Sequence, residues 1–287
     1  MNQQLTLIKL GGSVITNKEV PMMVREENLS RLVREIALAQ AETGQKYLVG
    51  HGQGSFAHAP AMQYQTKEGF IREDSVFGMA VTQDSALQLN RIVVREFLSA
   101  HLPAISYCYS NTLVTENQQA ASWNAEVLRQ YLHKGLLPVT GGDVIVDTSR
   151  GCTIWSTEKV LGHIAVELPK FSDFKISKII HVTEVPGVMD KNGRVIREIS
   201  ENNLDEVRSA IAATRGFDVT GGMGHKIEES LLQAKNGIEV MIISGLQPKN
   251  LYNCLVGQEF VGTLVSSIEG ASSFASYKYK KANGLIS

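Results

Sequence analysis

The sequence predicts an α/β fold: a three-layer αβα sandwich with a mostly parallel central sheet. Three observations predict it. Short apolar runs alternate with stretches of helical periodicity along nearly all 287 residues. Glycine clusters close several of those runs: Gly11-Gly12, Gly52 and Gly54, and Gly141-Gly142. No Pro- or Ser-rich linker, low-complexity stretch or repeat interrupts the order. The chain therefore reads as one domain, 1–287, with lobes 1–171 and 172–287 on one continuous sheet.

The elements follow in order. Leu5 to Leu10 is a short apolar strand stopped by Gly11-Gly12-Ser13. Leu29, Leu32, Val33, Ile36 and Ala37 recur at helical spacing, which predicts a helix over 26–41. Tyr47-Leu48-Val49 is a buried strand ending in His51-Gly52-Gln53-Gly54-Ser55. A long helix is expected over 76–100, a strand over 103–107, and a helix over 126–133 leading into a strand over 136–139. Residues 144–147 and 153–155 read as a hairpin around Ser149-Arg150-Gly151, and 158–168 as a helix. The second lobe offers a strand over 178–182, a turn at Asp190-Lys191-Asn192-Gly193 and a helix over 204–214. A further helix opens at Thr220-Gly221-Gly222-Met223, and a strand over 239–243 closes the series.

Composition excludes several classes. With 43% hydrophobic and 20% charged residues and a net charge of -1, the chain has no general attraction for nucleic acid or anionic membranes. Cys108, Cys152 and Cys254 lie far apart with no C-x-x-C pair, so neither a zinc knot nor a disulfide framework is expected. The N-terminus lacks the basic and apolar regions of a signal peptide, and no apolar run reaches the ~20 residues of a membrane span. The expectation is a cytoplasmic protein.

The glycine clusters carry the chemistry. A glycine after a strand lets main chain approach a ligand, and the free N–H groups of such a turn attract anions. Four clusters, with Lys9, Lys18 and Lys226 beside two of them, point to a polyanion. The Walker A pattern is absent, as are the H-R-D and D-F-G segments of protein kinases. Gly52-Gln53-Gly54-Ser55-Phe56-Ala57 fits the relaxed dinucleotide pattern G-x-G-x-x-A. The polar stretch 59–74 supplies no second strand with its acidic residue. An NAD-dependent oxidoreductase is thus the alternative from another class.

Longer segments carry a resemblance. Lys9-Leu10-Gly11-Gly12-Ser13 resembles the first phosphate loop of the amino acid kinase family. His51-Gly52-Gln53-Gly54-Ser55-Phe56-Ala57-His58 is similar to the H-G-G-G-[SA]-F-G-H segment of its isopentenyl phosphate kinases. Gly142-Asp143-Val144-Ile145 resembles G-D-[IV]-V, and Thr183-Glu184-Val185-Pro186-Gly187-Val188 resembles T-D-V-D-G-V. Asp218-Val219-Thr220-Gly221-Gly222-Met223 with Lys226 matches D-V-T-G-G-M-x-x-K, and Gly262-Thr263 fits near the end. The departures are Gln53 and Ala57 for glycines, Glu184 and Pro186 for aspartates, and Ser156-Thr157-Glu158-Lys159 where S-G-D-D is common.

The resemblance implies transfer of the ATP γ-phosphoryl group, with Mg²⁺, to isopentenyl phosphate or a similar small alkyl monophosphate. It implies lobe 1–171 on the acceptor side, lobe 172–287 on the nucleotide side, and a homodimer. Lys9, Lys18, Lys226 and His58 would be catalytic, His58 by donating to the acceptor phosphate. Gly11, Gly12, Ser13, Gln53, Gly54, Thr183, Gly187, Gly221 and Gly222 would face the nucleotide. Asp143 would orient the lysines or bind Mg²⁺ through water. Gly52, Gly54, Ser55 and Gly142 would meet the acceptor, and Phe77, Met79, Val81 and Thr82 are candidates for its tail. A fosfomycin-type phosphonate kinase is the nearer alternative.

Overall fold

The computed structural model describes residues 3–212 and 223–267. Its strands are β1 (Gln3–Leu10), β2 (Lys46–His51), β3 (Ala104–Ser106), β4 (Leu113–Glu116), β5 (Gln119–Trp123), β6 (Leu137–Gly141), β7 (Asp143–Asp147), β8 (Gly151–Trp155), β9 (Phe174–Thr183), β10 (Glu198–Ile199), β11 (Glu239–Ser244) and β12 (Gly262–Val265). Its helices are α1 (Gly12–Ile15), α2 (Glu26–Thr43), α3 (His58–Gln63), α4 (Ser75–Ser99), α5 (Glu126–His133), α6 (Thr157–Phe171), α7 (Leu204–Ala212), α8 (Met223–Lys235) and α9 (Asn250–Leu255).

Among the described residues, eight strands form one sheet in the order β10-β12-β11-β9-β1-β2-β6-β3. All neighbours are parallel except β11 and β12. Both faces are covered, so the inner strands are apolar on both sides. Leu5 and Leu7 join Val160, Leu161, Ile164 and Leu168 of α6 in one core, with Ile227 and Leu231 of α8. Ile8 and Leu10 point the other way, into a core with Leu29, Leu32 and Ile36 of α2 and Leu89, Val93 and Phe97 of α4. The alternation of side chains along each strand divides these two cores. Each fully buried Leu or Ile contributes about 1.5–3 kcal/mol.

The hairpin expected over 144–155 forms, but outside the central sheet. β7 and β8 join β4 and β5 in a separate four-stranded sheet ordered β5-β4-β7-β8. The β4–β5 turn at Asn117 and Gln118, both at positive φ, was not legible: β5 is largely exposed and shows no apolar alternation. The buried carboxylate of Asp147 caps that turn by accepting from the Asn117 and Gln118 N–H groups at 3.2 and 2.7 Å. No helix among the described residues is long and apolar enough to cross a membrane.

Candidate active site

In a parallel sheet, the strands' carboxyl ends gather the connecting turns on one edge. Here β1, β2, β6 and β9 deliver Gly11-Gly12, Gly52-Gly54, Gly141-Gly142 and Thr183 to that edge. The first two turns touch main chain to main chain. A Cβ on Gly12 would lie 2.5 Å from Gly54 N, and one on Gly52 would lie 2.6 Å from Gly12 N. Gly54 takes φ +52°, and a Cβ there would fall 1.9 Å from Thr16 Oγ1. Thr16 sews the turns together: its hydroxyl donates to Gly12 O at 2.8 Å and accepts from Ser55 N at 3.1 Å. The Ser55 hydroxyl oxygen is buried without a partner among the described residues.

Lys9 leaves β1 on the α6 face and is 7% exposed. Its ammonium donates to Glu158, in the first turn of α6. The Lys226 ammonium, from α8, lies 3.9 Å from the same carboxylate. Local sequence explains why Glu158 is presented there. The Ser156 side chain caps α6 by accepting from Lys159 N at 3.2 Å. The Thr157 hydroxyl donates to His51 O at 2.7 Å and accepts from Gly142 N at 2.8 Å. The start of α6 is thereby fastened to the ends of β2 and β6. Burial works to raise the Glu158 carboxyl, but Lys9, with smaller contributions from His181 and Lys226, outweighs it and holds the group at about 2. In the sequence alone Glu158 stands out only as a departure from S-G-D-D.

Lys18 lies apart from that pair. It is exposed and 3.2 Å from Glu184, directly after β9, and Arg25 approaches the same carboxylate at 3.2 Å. Glu184 thus meets two cations from the loop that follows α1. Its neighbour Thr183 donates to Val185 O at 2.9 Å and shapes the turn leading to Gly187. A Cβ on Gly187 would sit 2.6 Å from Thr263 Oγ1, so this turn rests on β12.

Asp143 sits away from the lysines, at the start of β7. Its buried carboxylate accepts from Ser110 Oγ at 2.5 Å, Val144 N at 2.8 Å and Cys108 Sγ at 3.6 Å. None of these partners is a lysine. Burial raises its proton affinity, and the hydrogen bonds oppose the rise. The carboxylate that gathers lysines is Glu158. Gln53, in place of a glycine, reaches across to donate to Gly142 O, and its Oε1 is buried without a partner. Gln53 borders a small cavity of about 10 Å³ between α4 and β7, lined also by Asn90, Cys108 and Asp143. Such a space holds about one water molecule.

His58 opens α3 and is exposed, and its side chain makes no hydrogen bond among the described residues. Of the tail candidates, Phe77 is 63% exposed against Tyr64, while Thr82 is buried and donates to Gly78 O at 2.8 Å. Met79 and Val81 are half-buried. Gly221 and Gly222 lie outside the described residues.

Known proteins share this fold. The model of the amino acid kinase family matches residues 4–244. The chain belongs to the amino acid kinase family. It is 32% identical to an isopentenyl phosphate kinase of Methanothermobacter thermautotrophicus over 91% of this chain and 99% of that one. An isopentenyl phosphate kinase of Methanocaldococcus jannaschii is 29% identical over 88% and 96% of the two chains. An X-ray structure of isopentenyl phosphate kinase superposes with a TM-score of 0.76 at 28% identity, covering 91% of this chain and all of that one. In this chain the ammoniums of Lys9 and Lys226 converge on Glu158.

Proposed function

We propose that this chain transfers the γ-phosphoryl group of ATP to isopentenyl phosphate, releasing ADP and isopentenyl diphosphate. The observation that carries it is the pair of ammoniums, Lys9 and Lys226, held on one carboxylate beside the touching Gly12 and Gly54 turns. The kinship with isopentenyl phosphate kinases over nine-tenths of the chain names the acceptor.

The chemistry suits such a site. A phosphomonoester has a second pKa of about 6, so the acceptor oxygen is already charged near neutrality and no general base is needed. What remains is to bring two polyanions together and to spread the charge of the transferred group. Lys9 and Lys226 exchange part of their hold on Glu158 for phosphate oxygens as the nucleotide arrives. The main-chain N–H groups of Gly12, Ser13 and Gly54 supply neutral donors at the meeting point. Lys18 swings from Glu184 toward the transferring group. His58 donates to the acceptor phosphate from the first turn of α3. Mg²⁺ would neutralise charge on the triphosphate and would be held chiefly by phosphate oxygens and water, since the described residues offer no cluster of three or more His, Cys, Asp or Glu side chains to ligate it. Lobe 1–171 is the acceptor side and lobe 172–287 the nucleotide side, and the working form is a homodimer.

A coupled assay for ADP release tests the reading with isopentenyl phosphate, fosfomycin and N-acetylglutamate as acceptors. The expected result is turnover with isopentenyl phosphate well above the other two. Turnover only with fosfomycin would assign a phosphonate kinase, and no ADP with tight NAD binding would remove the kinase reading. His58→Ala is expected to raise the KM of the acceptor and leave that of ATP unchanged. Parallel loss of both would deny His58 its role.

A further inference from the structure

β9 carries one polar side chain in the middle of its apolar run. Ile180 and Val182 point into the core with α2 and α4. His181, between them, points to the opposite face and is 4% exposed. It is the register partner of Lys9 on the adjacent parallel strand. Neighbouring strands lie about 4.8 Å apart, so the two side chains stand side by side on the face that carries Glu158 and Lys226. The imidazole Nδ1 is buried without a partner, and neither ring nitrogen has a hydrogen bond among the described residues.

The surroundings limit what the ring can meet. Lys9 of β1 and Lys226 of α8 are donors only, and the Glu158 carboxylate is occupied by Lys9. Burial first, then Lys9, lowers the proton affinity of His181 to about 4, so at neutral pH the ring is uncharged and carries one N–H. An apolar ring would fill the same space without leaving a buried polar group unmatched, which costs about 1–3 kcal/mol. A missing acceptor beside two ammoniums has the chemistry of an anionic oxygen.

We infer that His181 is a phosphate-binding residue for the donor nucleotide, its ring N–H donating to a phosphate oxygen held between Lys9 and Lys226. The inference rests on the kinase reading above and adds a neutral donor to the floor of that site. The β- and γ-phosphates are the groups that reach the lysine pair, so the contact belongs to a nucleoside triphosphate and not to a monophosphate.

Calorimetric titration of the full chain with ATP and with AMP tests it, using wild type, His181→Phe and His181→Asn. The phenylalanine variant should bind ATP about tenfold to a hundredfold more weakly, the range for a hydrogen bond to a charged group. Its AMP affinity and its KM for the acceptor should be unchanged, and asparagine should restore part of the loss. Equal ATP affinity in wild type and His181→Phe overturns the inference, as does parallel loss of ATP and AMP. Should His181→Phe not fold, the imidazole nitrogen resonances of wild type decide. They should shift with ATP and not with AMP, and unmoved resonances overturn the assignment. Wild type that binds no ATP at all would instead remove the kinase reading.

Discussion

Glu158→Gln keeps the shape of the side chain that Lys9 and Lys226 share and removes its charge. The Glu158 carboxyl is held from an ordinary 4.5 down to about 2. At about 1.4 kcal/mol per pH unit, that depression corresponds to on the order of 3 kcal/mol of favourable interaction. Loss of one partner from a buried pair costs a similar 3–5 kcal/mol, because the other charge stays behind. The folded-state value lies below the unfolded one, so the contribution is complete above about pH 4.5 and fades as pH falls toward 2. At pH 7 the variant therefore loses all of it. For domains of 150–250 residues, 1 kcal/mol moves Tm by about 2–4 °C, so a fall of roughly 6–12 °C is expected. Triphosphate returns negative charge to the two ammoniums, so saturating ATP should narrow the gap between variant and wild type. Thermal melts followed by circular dichroism, with and without ATP, measure both effects. A fall below about 2 °C, or a gap that ATP leaves unchanged, would refute the view that one carboxylate holds this centre together.

Three other outcomes are expected. Gly54→Ala forces a Cβ into Thr16 at φ +52° and should lower kcat on the order of a hundredfold in the ADP-release assay. Gly44→Ala, also at positive φ but with nothing nearby, should leave kcat intact and cost about 1–2 kcal/mol in a urea melt. Asp143→Asn should cost about 1–3 kcal/mol of stability through Ser110 and Val144 while leaving the ATP Kd unchanged; a large rise in that Kd would return Asp143 to the nucleotide. His51 and His181 are both lowered from 6.5 to about 4 by burial, so the unfolded chain gains protons first as pH drops below 6.5. Stability measured by urea melts should therefore decline from pH 6.5 toward 5, by up to about 1.4 kcal/mol per pH unit for each histidine, and His181→Asn should lessen the slope.

Six of the eight strands of the central sheet were legible because short apolar runs mark them between helices with clear apolar stripes, as in α2 and α6, whereas β10 and β12 are only 2 and 4 residues long and leave too short a pattern. The β4–β5 hairpin was not, because its exposed outer strand needs no apolar pattern and its turn uses Asn117 and Gln118 without glycine. The lysines and touching glycines stood out as motifs. Glu158 and His181 were hidden for a different reason. Each is an ordinary residue inside a regular element, and its meaning comes from a neighbour distant in the chain: Glu158 from Lys9, and His181 from the register of β9 on β1. A polar residue set between Ile179-Ile180 and Val182 in the buried half of β9 was the available signal for His181. Asp143 stood out as a motif position, while its contacts with Ser110 and Val144 appear only once the chain is folded.

The bare contact between Gly12, Gly52 and Gly54 also bears on redesign. With no side chain interposed, the two turns have no adjustable spacer, and neither can be enlarged without pushing the other out of place. Efforts to change which acceptor is used would do better to leave these turns alone. Substitutions on α4 and the small sheet, where side chains of many sizes already meet, offer the freedom that the glycine seam denies.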